Sequence, residues 1–249
     1  MAQYDITSMI SKPPKKDVHS VDKLPSTAAG QKSIVEKVDM SLKNVKFKQG
    51  WETIGTHLIR NISTVPALPA EKVKVAAFDL DGTLIDTKSG AKFSRGPGDW
   101  KWWGKSPTMT PQTVAKYFNL GHLIVIFTNQ GAVVANKDSK SYSNLRAKLN
   151  LIYNELAKYK VESIYVYASP KKPSKGSTST EEQHKLTRKP AIGIWQDLES
   201  VLAEKGKVID YENSFYVGDA AGRKQDFSDS DFKFAENAKI SFKTPEEFF

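Results

Sequence analysis

The chain has 249 residues, of which 39% are apolar and 10% aromatic, enough for one large core or two small ones. It carries 37 Lys+Arg against 28 Asp+Glu, a net charge of +9 with a pI near 9.4. That balance suits an anionic partner such as nucleic acid or a phosphorylated substrate, although charge alone describes an ordinary basic protein equally well. The absence of cysteine excludes disulfides, thiol catalysis and cysteine-ligated zinc. No apolar run approaches membrane-spanning length, and the N-terminus lacks the apolar core of a signal peptide. The expectation is a soluble intracellular protein.

Residues 1–50 mix Lys, Ser, Pro, Thr and Gln with scattered apolar residues and read as a basic, disordered tail. The Lys12-Pro13-Pro14-Lys15-Lys16 cluster reads as part of that solvated tail rather than as a targeting signal. Residues 51–249 read as one domain. Residues 58–62 suit an edge strand, after which Pro66 and Pro69 break the chain. The first core strand spans 73–78. A turn-rich stretch, 88–109, holds Trp100, Trp102 and Trp103, expected to pack beneath the loop rather than stack on bases.

A helix is expected over 110–119, with Thr110 as N-cap, Pro111 at the first helical position and Gly121 ending it. A second buried strand follows at 123–127. Leu145, Leu149, Ile152 and Leu156 recur at helical spacing within 143–159. A third strand is expected at 164–168. Residues 169–188 are rich in Lys, Ser, Thr and Pro and read as a flexible basic surface loop. A helix over 191–204 and a strand at 215–217 come next, then an acidic segment at 226–237. This alternation predicts an α/β fold, a parallel Rossmann-like sheet with helices on both faces and right-handed crossovers.

The strand at 73–78 runs into Asp79-Leu80-Asp81-Gly82-Thr83. In open α/β sheets ligands bind beyond the C-terminal ends of strands. Alternate residues of an extended chain face the same way, so Asp79 and Asp81 can address one site. One carboxylate can attack a phosphoryl group while the other handles the leaving-group proton. Thr128-Asn129 ends the second strand, Gly218-Asp219 ends the fourth, and Lys189 stands before a helix. A parallel sheet gathers these groups into one crevice. There Thr128 can donate to a phosphoryl oxygen, Lys189 can supply positive charge, and Asp79 with Asp219 can hold Mg2+.

In these four places the chain resembles the haloacid-dehalogenase-like phosphohydrolases. The longer strings KVAAFDLDGTLIDTKSG, GPGDW, VIFTNQG, RKPAIGIW, YVGDAAGRKQDFSDSD and TPEEFF resemble the phosphatase domain of polynucleotide kinase/3′-phosphatases, over roughly residues 50–249. The resemblance implies removal of 3′-phosphates from DNA ends during strand-break repair, with Mg2+ as cofactor and the nucleus as location. It implies that Asp79 is the nucleophile, Asp81 the acid/base, and Thr128 and Lys189 the phosphate holders. Thr83, Asn129, Arg188 and Arg223 are the further substrate-binding candidates. Asp79, Asp81 and Asp219 are the metal candidates, with Asp231 a weaker one.

Two-activity members add a kinase domain with a P-loop, and many add a phosphopeptide-binding domain. Neither pattern occurs here, so the chain resembles a stand-alone, monomeric member without 5′-kinase activity. The short segments after the first and second motifs leave no room for a large cap domain. Small-molecule phosphatases of the histidinol-phosphate type share DxDGT and TNQ but carry a cysteine-rich zinc loop, which this chain lacks. A non-catalytic DNA-end binder is the alternative from outside the enzymes, and the intact motif residues argue against it.

Overall fold

The computed structural model describes residues 50–63 and 70–249. The expected tail before Gly50, with its basic cluster, and the breaks at Pro66 and Pro69 lie outside the described residues. Strands β1 (Trp51–Ile54) and β2 (Leu58–Asn61) open the domain, followed by β3 (Lys72–Phe78). The short pair β4 (Ile85–Asp86) and β5 (Lys101–Trp102) comes next. Helix α1 (Met109–Asn119), β6 (His122–Gln130), α2 (Lys140–Lys158) and β7 (Tyr165–Pro170) form the middle. After α3 (Glu181–Leu186) and α4 (Gly193–Ala203) come β8 (Val208–Ile209) and β9 (Phe215–Val217). The chain closes with α5 (Ser230–Asn237), β10 (Ser241–Lys243) and α6 (Pro245–Phe248).

The sheet order is β1-β2-β7-β6-β3-β9-β10, with β8 paired to the start of β3. From β7 to β10 every pairing is parallel; β1 and β2 extend the β7 side antiparallel. The expected edge strand at 58–62 is therefore second from the edge, covered by β1.

The central strands are apolar on both faces because each face has its own core. Ala76 and Phe78, Ile124 and Ile126, and Val166 and Ala168 pack with Val114 of α1 and with Leu145, Leu149, Ile152 and Leu156 of α2. Val75 and Ala77, Val125 and Phe127, and Tyr165 and Tyr167 face the other way, toward Trp195 and Leu198 of α4 and Phe234 of α5. Adjacent residues of one strand alternate between the two cores, as the period of two demands. Phe248 and Phe249 close the first core, each within 6.3 Å, centroid to centroid, of the Phe78 ring. Trp102 is buried and meets Trp100 edge-on at 5.2 Å, so the packing role expected of these tryptophans is the one observed for this pair.

Two local readings are corrected. The N-cap of α1 is Thr108 rather than the expected Thr110, so the helix begins at Met109 and Pro111 falls at its third residue. Residues 169–188 are not a featureless loop. Thr180 and Gln183 form a reciprocal capping box that starts α3. Ser179 Oγ accepts from the Thr56 amide at 2.8 Å, and Thr187 Oγ1 donates to the His57 carbonyl at 2.9 Å. The segment is thereby pinned to the β1–β2 turn.

Gly193 marks a tight junction of backbone against backbone. A Cβ there would lie 2.5 Å from the Leu186 carbonyl oxygen, in the backbone that leads to Lys189. Gly193→Ala should cost about 2 kcal/mol in urea unfolding, the range of overpacking. Gly96→Ala, with nothing within 4 Å of its Cβ, should change stability by less than about 0.5 kcal/mol.

Candidate active site

Asp79 directly follows β3, and its amide donates to the Val217 carbonyl at 2.9 Å, so pairing with β9 continues one residue past the strand. The chain then turns at Gly82, whose φ of 85° is a left-handed conformation. A Cβ on Gly82 would also lie 2.6 Å from Asp219 Oδ2, and one on Gly218 would lie 2.5 Å from the Asp231 carboxyl. The two glycines thus let acidic side chains close in on the end of β3. Asp231 sits in the first turn of α5, where its Oδ2 accepts from the Ala220 amide at 3.0 Å.

Lys189 is the centre of this group. Asn129 holds its backbone from both sides: Nδ2 donates to the Lys189 carbonyl at 3.1 Å, and Oδ1 accepts from the Lys189 amide at 3.0 Å. The ammonium donates to Asp79 Oδ1 at 2.7 Å, Asp231 Oδ1 at 2.7 Å and Tyr216 Oη at 2.6 Å. All three N–H donors have an acceptor. Lys189 is 4% exposed and Asp231 2%, so these charges are stable only because they are paired.

Asp219 completes the group. One oxygen from each of Asp79, Asp219 and Asp231 lies within 4.8 Å of the others. Three carboxylates against one ammonium leave two negative charges when all are ionised. Burial, opposed by Lys189, pushes Asp79 well up, and Asp231 and Asp219 push it further. Burial and then the Asp231 charge raise Asp219 to about 6. For Lys189 burial acts downward, but Asp231 and Asp79 outweigh it and hold the group up.

A second cluster surrounds Asp81. Strand β6 runs on to Gln130, with Thr128, Asn129 and Gln130 in register with Ala168, Ser169 and Pro170 of β7. Thr128 and Gln130 therefore share one side and Asn129 takes the other, toward Lys189. Gln130 Nε2 donates to Asp81 Oδ2 at 2.8 Å and to Thr128 Oγ1 at 2.9 Å. Because Thr128 accepts from Gln130, its own hydroxyl proton is left for another acceptor. Lys148 of α2 brings its ammonium 3.5 Å from Asp81 Oδ1.

Several expected substrate or metal ligands have other places. Asp81 lies outside the three-carboxylate group, its oxygens faced by Gln130 and Lys148, whereas Asp231 is inside it. Thr83 donates to Asp219 Oδ1 at 3.3 Å and so orients that carboxylate. Asn129 positions Lys189, as above. Arg223 is paired with Asp226 and Glu246, each at 3.0 Å, and donates to the Asp219 carbonyl at 3.3 Å. Arg188 is exposed and helps to line a groove of about 280 Å³ with Gly131, Lys171 and Lys185. Sequence reasoning missed Gln130, Lys148 and Tyr216. The strand period made Gln130 findable, since it lies two residues from Thr128; Lys148 falls on the apolar face of a helix and Tyr216 in an apolar strand, and both positions read as core.

The fold is that of the haloacid-dehalogenase-like phosphatases. A HAD-like phosphatase from Mesorhizobium loti superposes with a TM-score of 0.55 at 18% identity, covering 77% of this chain and 80% of that one. The polynucleotide kinase 3 phosphatase family model matches residues 74–249, and the chain belongs to that family. It is 38% identical over 187 residues to the uncharacterized 20.8 kDa protein in the FGF-VUBI intergenic region of Autographa californica nuclear polyhedrosis virus, covering 72% of this chain and 87% of the viral one. It is 39% identical to the bifunctional polynucleotide phosphatase/kinase of Schizosaccharomyces pombe, covering 71% of this chain but only 37% of that protein. It is 35% identical to the polynucleotide 3′-phosphatase of Saccharomyces cerevisiae, covering 71% and 87%.

The donor set of Asp79, Asp219 and Asp231 fits Mg2+: its ligand atoms are hard oxygens, and its two uncompensated charges match one divalent cation. Asp219 has an ordinary value of 3.8 and a folded value of about 6. Folding therefore favours its protonated form, and without metal the stability from this group is lost as pH rises from about 4 to 6. Asp219→Asn should remove that loss and leave the metal-free protein at least as heat-stable as wild type near neutral pH. Mg2+ should raise the Tm of wild type and leave that of Asp219→Asn unchanged. A wild-type-sized Mg2+ shift in the variant would contradict the assignment.

Proposed function

We propose that the chain is a Mg2+-dependent polynucleotide 3′-phosphatase that clears 3′-phosphates from DNA ends at strand breaks in the nucleus. The observation that carries this reading is Asp79, a buried carboxylate at a strand end, paired with Lys189 and set beside Asp81, in a chain of this family. In the proposed reaction an oxygen of Asp79 attacks the phosphorus. The bond from phosphorus to the 3′ oxygen breaks, its electron pair goes to that oxygen, and Asp81 supplies the proton. A water then attacks the phosphorus of the aspartyl-phosphate and gives a proton to Asp81, which releases inorganic phosphate and restores Asp79.

Thr128 contributes a hydroxyl donor to a phosphoryl oxygen. Lys189 contributes charge rather than a free N–H, since its donors are committed to Asp79, Asp231 and Tyr216. A Mg2+ ion held by Asp79, Asp219 and Asp231 would neutralise charge on the carboxylates and on the phosphoryl oxygens.

Two features favour a polynucleotide over a small substrate. The segments after the first and second motifs are taken up by β5, α2, β7 and α3, and no cap domain was found among the described residues. The groove with Lys171, Lys185 and Arg188 adjoins the end of β6 and offers cations to a phosphodiester backbone. Counterion release should make DNA binding salt-sensitive. Between roughly 50 and 200 mM salt, kcat/KM for a 3′-phosphorylated oligonucleotide should fall about tenfold, while that for nitrophenyl phosphate changes little. Histidinol phosphate should be the poorer substrate at every salt concentration. Parallel salt responses, or preference for histidinol phosphate, would overturn the DNA reading.

A further inference from the structure

Among the described residues two lysines are buried, Lys148 and Lys189, and each reaches one aspartate of the Asp79-Leu80-Asp81 motif. Lys189 is accounted for by the carboxylate group. Lys148 is not. It projects from the same face of α2 as Leu145, Leu149, Ile152 and Leu156, a position where an apolar residue would avoid the desolvation of an ammonium. Its Nζ stands 3.5 Å from Asp81 Oδ1, where Asp81 is 51% exposed and Lys148 11%. On the other side Gln130 Nε2 donates to Asp81 Oδ2 at 2.8 Å. An aspartate half open to solvent has several rotamers within reach; here a donor stands on each oxygen.

We propose that Lys148 is a positioning residue which, with Gln130, holds the Asp81 carboxyl in the one orientation that serves both proton transfers. The proposal rests on the phosphatase reading above, in which Asp81 is the acid/base. Each carboxyl oxygen has two lone pairs. Gln130 occupies one lone pair of Oδ2, Lys148 stands beside Oδ1 as a cation, and a remaining lone pair carries the proton given to the 3′ oxygen and later taken from water. Lys148 acts through Asp81 and not on the phosphate, because its ammonium is directed at the carboxylate from the side of α2. A misplacement of about 1 Å of a reacting group is enough to lower the rate about a hundredfold.

The test is a double-mutant cycle of Lys148→Met and Asp81→Asn, with Lys148→Arg as the conservative variant. On a 3′-phosphorylated oligonucleotide Lys148→Met should lower kcat about a hundredfold. KM, and the inhibition constant of inorganic phosphate, should stay within about twofold, the scatter expected of an uncoupled site. Lys148→Arg should regain most of the loss. In the Asp81→Asn background, with residual turnover read on nitrophenyl phosphate at high enzyme concentration, Lys148→Met should cost no more than about a further twofold. An unchanged kcat, a full loss that persists in the Asp81→Asn background, or a clear rise in the phosphate inhibition constant would each overturn the proposal. Heat denaturation checks the fold. Should Lys148→Met melt early, Lys148→Gln goes through the same cycle. If wild type releases no phosphate from the oligonucleotide, the DNA reading fails, while the cycle on nitrophenyl phosphate still decides the role of Lys148.

Discussion

The interaction on which the site depends is the buried ammonium of Lys189 among Asp79, Asp231 and Tyr216. Ions taken out of water cost several kcal/mol each unless partners replace the lost solvent. Here the replacement is complete for the cation, with three acceptors within 2.7 Å. The surrounding chain serves this arrangement. Asn129 at the end of β6 sets the Lys189 backbone, and Gly218 leaves the room that the Asp231 carboxyl occupies. Replacing Lys189 would leave the buried carboxylates of Asp79 and Asp231 without their cation, so the geometry is held by the cost of its alternatives. One cation cannot cancel the three carboxylates of Asp79, Asp219 and Asp231, and the two charges left over are what a divalent metal ion would neutralise.

The centre of the site is acidic while the chain as a whole is basic, and the two serve different ends. In the proposed reaction the carboxylates would hold metal and act on phosphorus, and the cations of the groove beside β6 would meet the rest of an anionic polymer. The structure reassigns some of the cations counted in the sequence. Arg223 is bound to Asp226 and Glu246, and Lys172 is paired with Glu181. Lys171, Lys185 and Arg188 line the groove beside β6.

Most of the sheet could be read directly from the chain, because short apolar runs ending in Asp79, Thr128 and Asp219 are hard to place anywhere but in a doubly covered parallel sheet. Part of the site was legible for the same reason: Asp79, Thr128 and Asp219 stand where apolar strands stop, whereas Lys189 precedes a helix and Asp231 lies within one. What escaped was the work of residues one layer out. Thr83 and Asn129 carry side chains that suit a phosphate, yet their hydrogen bonds go to Asp219 and Lys189. Lys148 was hidden because a helical stripe predicts the face of a residue and not the reach of a lysine. Of the three aspartates at 226, 229 and 231, Asp226 pairs with Arg223 and Asp229 with Lys233. Of the three, the fold brings Asp231 into the carboxylate group with Asp79 and Asp219. The capped helix α3 was missed although Thr180 and Gln183 have capping-box spacing, because the composition around them is that of a loop.

The central claim is that Asp79 forms a bond to phosphorus, and the most direct measurement is to find that bond. Wild-type protein and Asp81→Asn, in which both steps should slow, would be mixed with a 3′-phosphorylated oligonucleotide and Mg2+, quenched in acid within the first turnover, digested and sequenced by mass spectrometry. The account predicts phosphate on the peptide that contains Asp79, at that residue, in wild type, with less of it in Asp81→Asn, which cannot protonate the departing 3′ oxygen. Phosphate released into solution in the first turnover with none on Asp79 in either protein would mean direct attack by water, and would contradict the account.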